Sequence, residues 1–335
     1  MPNLGFYLTE SAQIYPDGAA LRCEGVTTTY SDLADSVCRF GEFLVHQGIR
    51  PGDRVGVMLP NRPEFVVLFY SVLHEGAVVV PMNPLLSARE VEFFLSNTGA
   101  KMLFFAPECA AAATAGALAA GVPALAVDGN ALAEYAARVA GFARPLPRAD
   151  DDTAVVLHTS GTSGLPEGAQ LTHGDLCRNQ AVVAGSLLKL EPDDVVAASL
   201  PLFHVFGMTC GLLAATSAGA TLALLPRFDA GDALRMIAAE RVTVFLGVPA
   251  MYVGMLAAAE RDDVDLSSLR VCVSDGAAMP VAVLRTFENR FGCRVREGYG
   301  LSQASPAASF NRPNGIRKVG SIGAPIDGVE IQTLR

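Results

Sequence analysis

At 335 residues the chain is too long for one small core and predicts one large domain or two to three subdomains. Hydrophobic residues make up 51% and charged residues 18%, which excludes a disordered chain. A formal charge of −9 with no Lys/Arg run argues against a nucleic-acid partner.

The elements alternate from early in the chain. "DRVGVMLP" (Asp53–Pro60) predicts a strand, "RPEFVVLFYSVLHEG" (Arg62–Gly76) a helix and "AVVVPMNP" (Ala77–Pro84) a strand. "SAREVEFFLSNTGA" (Ser87–Ala100) opens with a Ser cap and a Glu three residues on, a capping box. "KMLFFAP" (Lys101–Pro107) is the next strand, and Ala110–Val127 predicts helix, turn and strand. A β-α-β-α-β order is the signature of a parallel sheet with helices on its faces. After the acidic linker "RADDDTAVVLHTS" the rhythm resumes, with strands at Ala220–Pro226, Val242–Pro249, Leu269–Gly276 and Arg294–Gly300. Helices are expected at Asp229–Arg241, Ala250–Glu260 and Pro280–Gly292.

The fold expected is therefore α/β: two doubly wound subdomains at 1–150 and 151–315. An incomplete β subdomain of β-meander or barrel type is expected to start at 316–335. The uncharged run Val205–Pro226 is long enough to span a bilayer, but its Gly, Ser and Thr residues favour a buried helix followed by a strand. The N-terminus lacks a basic start followed by an apolar core, so no signal peptide is expected. Seven cysteines without a C-x-x-C pair read as reduced thiols of a cytoplasmic protein. The five scattered histidines have no zinc spacing.

Ligands of doubly wound sheets sit beyond the carboxyl ends of the strands. Three motifs fall at such ends: Thr159–Gly168 ("TSGTSGLPEG"), Ser274–Pro280 and Tyr299–Gln303. Glycines let backbone N–H groups turn toward an anion, and the hydroxyls add donors. By composition alone, however, a surface loop is the commoner meaning of a Gly/Ser stretch. "THGD" (Thr172–Asp175) fits a second capping box, so His173 and Asp175 read as helix-start residues.

"TSGTSGLPEGAQLTH" resembles the phosphate-loop signature of the adenylate-forming superfamily of acyl-CoA synthetases, luciferases and adenylation domains. "PLFHVFG" (Pro201–Gly207), "GVPAMY" (Gly247–Tyr252), "VSDGAAMP" (Val273–Pro280) and "GYGLSQASP" (Gly298–Pro306) resemble its further motifs. They stand in the family's order over essentially the whole chain, and the acyl-CoA synthetase branch fits best. The resemblance implies an N-terminal domain that activates a fatty or aryl acid with ATP and Mg²⁺ as acyl-AMP, before transfer to CoA.

It further implies that Thr159, Ser160, Gly161, Thr162, Ser163, Gly164, Glu167 and Gly168 line the triphosphate. Tyr299 would stack on adenine, with Gly276, Ala277 and Ala278 as the facing wall. Ser302 would meet the α-phosphate, and Gln303 occupies the Mg²⁺ position. His204 would flank the carboxylate or the thiol path, with Val248, Ala250, Ser274, Asp275 and Gly300 as acyl-pocket walls. Three positions depart from the pattern at the chemistry: Glu167 for Lys, Gln303 for Glu and Ser302 for Thr. The resemblance also places a ribose clamp and a small C-terminal domain with a catalytic Lys beyond Arg335. A homologue that binds a ligand or partner without adenylating is the alternative.

Overall fold

The computed structural model describes residues 3–136, 144–159, 166–260, 264–313, 315 and 317–332. The chain divides into two compact units: residues 1–20, 27–177 and 201–204, and residues 21–26, 178–200 and 205–335. The early elements in chain order are α1 (Gly5–Ile14), β1 (Ala19–Cys23), β2 (Val26–Thr29), α2 (Tyr30–His46), β3 (Arg54–Met58), α3 (Pro63–His74) and β4 (Val78–Pro81). Next come α4 (Ala88–Thr98), β5 (Met102–Phe105), α5 (Ala110–Ala120), β6 (Ala124–Ala126), α6 (Gly129–Ala136), β7 (Thr153–Thr159), β8 (Glu167–Thr172) and α7 (His173–Val182).

In the first unit a six-stranded sheet runs β6-β5-β3-β4-β7-β8. Its pairs are parallel except β7–β8, which is antiparallel. Every residue of β4 and β5 is buried, as β-branched and aromatic runs must be when helices cover both sheet faces. In α3 all residues from Phe65 to His74 are buried, so it is a core helix, apolar all round. The capping box of α4 forms as the sequence predicts: Ser87 Oγ accepts from Glu90 N, and the Glu90 carboxylate accepts from Ser87 N at 2.8 Å. The β7–β8 hairpin lies past the boundary expected at 150, because β7 pairs with β4 through Val79 and Val155 and so joins the first sheet.

The second unit continues with β9 (Val195–Ala198), α8 (Ala214–Ser217), β10 (Thr221–Leu224), α9 (Ala230–Ala239), β11 (Val244–Gly247) and α10 (Pro249–Ala259). It ends with β12 (Val271–Ser274), α11 (Val281–Phe291), β13 (Val295–Gly300), β14 (Ala307–Phe310) and β15 (Ala324–Pro325). The nine-stranded sheet runs β15-β14-β13-β12-β11-β9-β10-β1-β2. Strands β13, β12, β11, β9, β10 and β1 are parallel, and β14 and β15 add antiparallel at one edge. Its core stacks Tyr252 edge-on against Phe245 and Phe287, with ring centroids 5.4 and 4.9 Å apart. Tyr252 Oη donates to Val273 O at 2.6 Å and so fixes the end of β12.

Val205–Pro226 divides into helix and strand as expected, but its first turns are wide. Phe206–Leu213 is π-helical and continues into α8. A second π-helical stretch, Val183–Leu188, extends α7. No described helix is long and apolar enough to cross a membrane.

Candidate functional site

In the second unit the strand order reverses about β9: β10 follows it on one side and β11 lies on the other. Such a reversal opens a crevice at the carboxyl ends. Two cavities lie at this end of the unit's strands. The larger, about 330 Å³, is lined by Ser274–Met279, Glu297–Gly300 and Gly320–Ile322. The smaller, about 20 Å³, has a mostly apolar wall that includes Val183, Leu187, Phe206, Cys210, Leu246 and Val273. Asp275 and Tyr299 border both.

The larger cavity is walled largely by backbone and small residues. Gly276 has φ +83°, a conformation glycine adopts without strain, and a Cβ there would stand 3.3 Å from Val248 Cγ1. At Gly300 a Cβ would meet Pro306 O at 2.8 Å. Tyr299 is 44% exposed, so its ring is available to a flat ligand. Ser274 Oγ is buried and has no hydrogen-bond partner among the described residues. Asp275 Oδ1 accepts from Gly276 N at 2.5 Å. Burial, and then the Asp275 charge, pushes the Cys210 thiol well above its ordinary range.

Two residues that the sequence reading missed shape this region. Glu297 is buried on β13, and its Oε2 accepts from Gly320 N at 2.8 Å, tying residues 320–322 to the cavity. Burial raises its carboxyl above the usual range, against the pull of the Gly320 N–H and Arg317. Asn179, on α7, donates to Ala304 O and Ala307 O and accepts from Ala307 N. It staples the segment that carries Ser302 and Gln303, a short 3-10 turn at Ser302–Ala304. Ser302 is half-buried there and Gln303 is exposed. Neither residue carries a sequence signal, because the partners lie 125 and 128 residues away for Asn179 and 23 for Glu297.

In the first unit the glycine-rich stretch falls between the antiparallel strands β7 and β8. Ser160, Gly161, Thr162, Ser163 and Gly164 lie outside the described residues. Thr159 ends β7 opposite Glu167, the first residue of β8, which is exposed. A Cβ at Gly168 would approach Val156 Cγ1 to 3.1 Å. His204 is exposed in a turn where its N–H donates to Pro201 O at 3.1 Å, and Asn61 Oδ1 accepts from Leu202 N. Of the acyl-wall residues expected from the sequence, Ser274, Asp275 and Gly300 line the larger cavity with Gly276, Ala277, Ala278 and Tyr299. Val248 and Ala250 line neither cavity: Val248 caps α10 behind Gly276, and Ala250 is exposed on its first turn. Thr172 does cap α7, its Oγ1 accepting from Asp175 N at 3.1 Å, so His173 and Asp175 are helix-start residues as read.

The two sheets, with a glycine-walled groove and an apolar cavity at the strand ends, define an α/β protein of the adenylate-forming kind. The chain belongs to the AMP-binding enzyme family, whose model matches residues 8–334. It is 33% identical to the long-chain-fatty-acid–CoA ligase of Bacillus subtilis, over 97% of this chain and 64% of the relative. It is 36% identical to a feruloyl-CoA synthase of Amycolatopsis sp., over 96% and 64%. Among solved structures, an anthranilate CoA ligase in complex with anthranoyl-AMP is similar with a TM-score of 0.91 and 25% identity, covering 97% of this chain and 64% of that one. The inhibitor-bound N-terminal domain of FACL13 from Mycobacterium tuberculosis is similar with a TM-score of 0.90 and 30% identity, covering 98% and 83%. The chain thus spans about 64% of the length of the curated relatives named.

Proposed function

We propose that this chain is the nucleotide- and acid-binding part of an ATP-dependent carboxylate–CoA ligase. In this reading a fatty or aryl acid is activated as acyl-AMP and then passed to CoA. The observation that carries the reading is the larger groove, where Ser274–Ala278 and Tyr299–Gly300 meet from two strand ends. Tyr299 stacks on adenine across from Gly276–Ala278, and Ser302 meets the α-phosphate. The acyl group lies against Ser274, Asp275 and Gly300, on the side of the groove that borders the apolar residues. The hairpin loop Thr159–Gly168 wraps the triphosphate, and His204 attends the carboxylate or the thiol. The names of the Bacillus and Amycolatopsis relatives support a fatty or an aryl acid.

Mg²⁺ does not fit the donors at 302–303. Ser302 offers a hydroxyl and Gln303 a neutral amide oxygen, whereas hard dications favour carboxylates. Among the described residues no three His, Cys, Asp or Glu side chains gather closely enough to hold a metal. That weakened metal position and the exposed acid Glu167 favour one second reading, a homologue that binds ligand without adenylating it.

Calorimetry of the chain with ATP, AMP and non-hydrolysable acyl-AMP analogues tests both. Binding of AMP and an analogue is expected, and its weakening by about tenfold in Tyr299→Ala supports the placement. No binding of any of the three overturns the ligase reading. Pyrophosphate release by the full-length protein, driven by added acid, then separates a ligase from a silent homologue.

A further inference from the structure

The ligase reading leaves one group of reactive side chains in the first unit unused. Cys38 lies on α2, His74 closes α3 and Glu75 follows it. His74 Nδ1 stands 2.8 Å from Glu75 Oε1, and its Nε2 stands 3.7 Å from Cys38 Sγ. A carboxylate accepts only, so Nδ1 carries a hydrogen and Nε2 faces the sulfur. The ring is buried, at 2% exposure. Its backbone is held as well: His74 O accepts from Leu146 N, and Leu73 O accepts from Asn3 Nδ2. Room for the carboxylate comes from Gly41, one turn beyond Cys38, where a Cβ would lie 2.6 Å from Glu75 Oε1. The order thiol, imidazole, carboxylate is the pattern of an activated nucleophile with an oriented proton partner.

We propose that Cys38 is a nucleophilic thiol that small hydroperoxides oxidise to a sulfenic acid, with His74 as its proton partner and Glu75 holding the ring. Sulfur attacks the distal peroxide oxygen. An S–O bond forms as the O–O bond breaks, the sulfur loses two electrons, and the alkoxide (or hydroxide) leaves. The proton shared by Sγ and Nε2 ends on that leaving oxygen. Cys38 is partly exposed while His74 is buried, so of the nucleophile and its proton partner it is the thiol residue that borders solvent. Because α2 and α3 pack along each other there, a peroxide fits more readily than a bulky disulfide or thioester. Burial disfavours a charge on the His74 ring, but Cys38 and then Glu75 outweigh burial and raise it to about 9, so Nε2 keeps its proton beside sulfur at neutral pH.

The test treats the chain with hydrogen peroxide in the presence of dimedone and follows labelled peptides by mass spectrometry. Cys177 is the other partly exposed thiol and serves as the reference within the same molecule. Cys38 is expected to label roughly tenfold faster than Cys177, and His74→Gln to remove that advantage while Cys177 stays unchanged. Glu75→Gln, at a less buried position, is expected to slow Cys38 severalfold. A loosened fold would speed every thiol, so selective slowing of Cys38 reports the proton partner itself. Equal labelling of Cys38 and Cys177 in the unmodified chain overturns the proposal whatever the variants do. So does a His74→Gln chain in which Cys38 keeps its rate.

Discussion

The two loops assigned to the nucleotide are held in different ways. In the first unit, the described ends of Thr159–Gly168 are antiparallel strand residues, Thr159 on β7 opposite the exposed Glu167 on β8. In the second, Ser302–Ala307 is stapled by three hydrogen bonds from the buried Asn179, and its neighbour β13 is tied to residue 320 by the buried Glu297. The flanks of the one are held by local strand pairing, and the other by contacts far along the chain. Each also carries a charge change from the resembled pattern, Glu167 for Lys in the first and Gln303 for Glu in the second. Scaffold and chemistry are thus separable here, and a change to either should show in a different measurement.

The largest expected effect tests scaffold through a histidine. Burial first, and then the nearby Arg148, lowers His173 to about 4, below the unfolded value of about 6.5. The stability from this neutral ring is present above pH 6.5 and is lost as the pH falls toward 4, an upper limit of about 3 kcal/mol. Urea unfolding from pH 7 to 4 should show that fall, and His173→Asn should remove its share while His158, which burial also lowers to about 4, keeps its own. His74 has the opposite sign: raised to about 9, it stabilises fully below 6.5 and loses that contribution as the pH rises through 9. His74→Gln should therefore flatten the alkaline limb and leave the acidic one.

Next in size is Asn179→Ala, which leaves the Ala304 and Ala307 carbonyls and the Ala307 N–H without their partner. A loss of about 2 kcal/mol in unfolding free energy is expected, and a loss below 0.5 kcal/mol would mean that water replaces the side chain (about the size of a surface change). On the chemistry side, Glu167→Lys replaces repulsion of a triphosphate by attraction. At an exposed site that amounts to roughly thirtyfold in ATP affinity by calorimetry, with unfolding unchanged. Gln303→Glu should make the remaining affinity more dependent on Mg²⁺. The smallest effect expected is Tyr299→Ala, a loss of about tenfold in AMP affinity from the missing stacking surface.

Much of the architecture was legible in the sequence because it is local. The β-branched runs of β3, β4 and β5, the Ser87–Glu90 cap and the glycine that ends α11 carry their geometry within a few residues. The strand-end position of Ser274–Met279 and Tyr299–Gly300 followed from the same rhythm, and these residues do line one groove. Val248 and Ala250 were expected on an acyl wall, but the first turn of α10 sets one behind Gly276 and the other outward. Asn179 looked like an ordinary helix polar residue, since its role depends on a loop 125 residues away. The wide turns at Val183–Leu188 and Phe206–Leu213 were also hidden, because apolar periodicity over six or eight residues does not separate a π from an α turn.

Those wide turns give the apolar cavity an adjustable wall. A π turn carries a surplus residue relative to the 3.6-residue turn. Deleting one residue from Phe206–Leu213 would tighten the helix and rotate the rest of that helix, as far as Ser217, by roughly 100°. Phe206 would stay and Cys210 would leave the cavity, while β9 and β10 keep their parallel register. A lineage could therefore re-cut the shape of this chamber with a single in-frame codon loss, leaving the sheet beneath it unaltered.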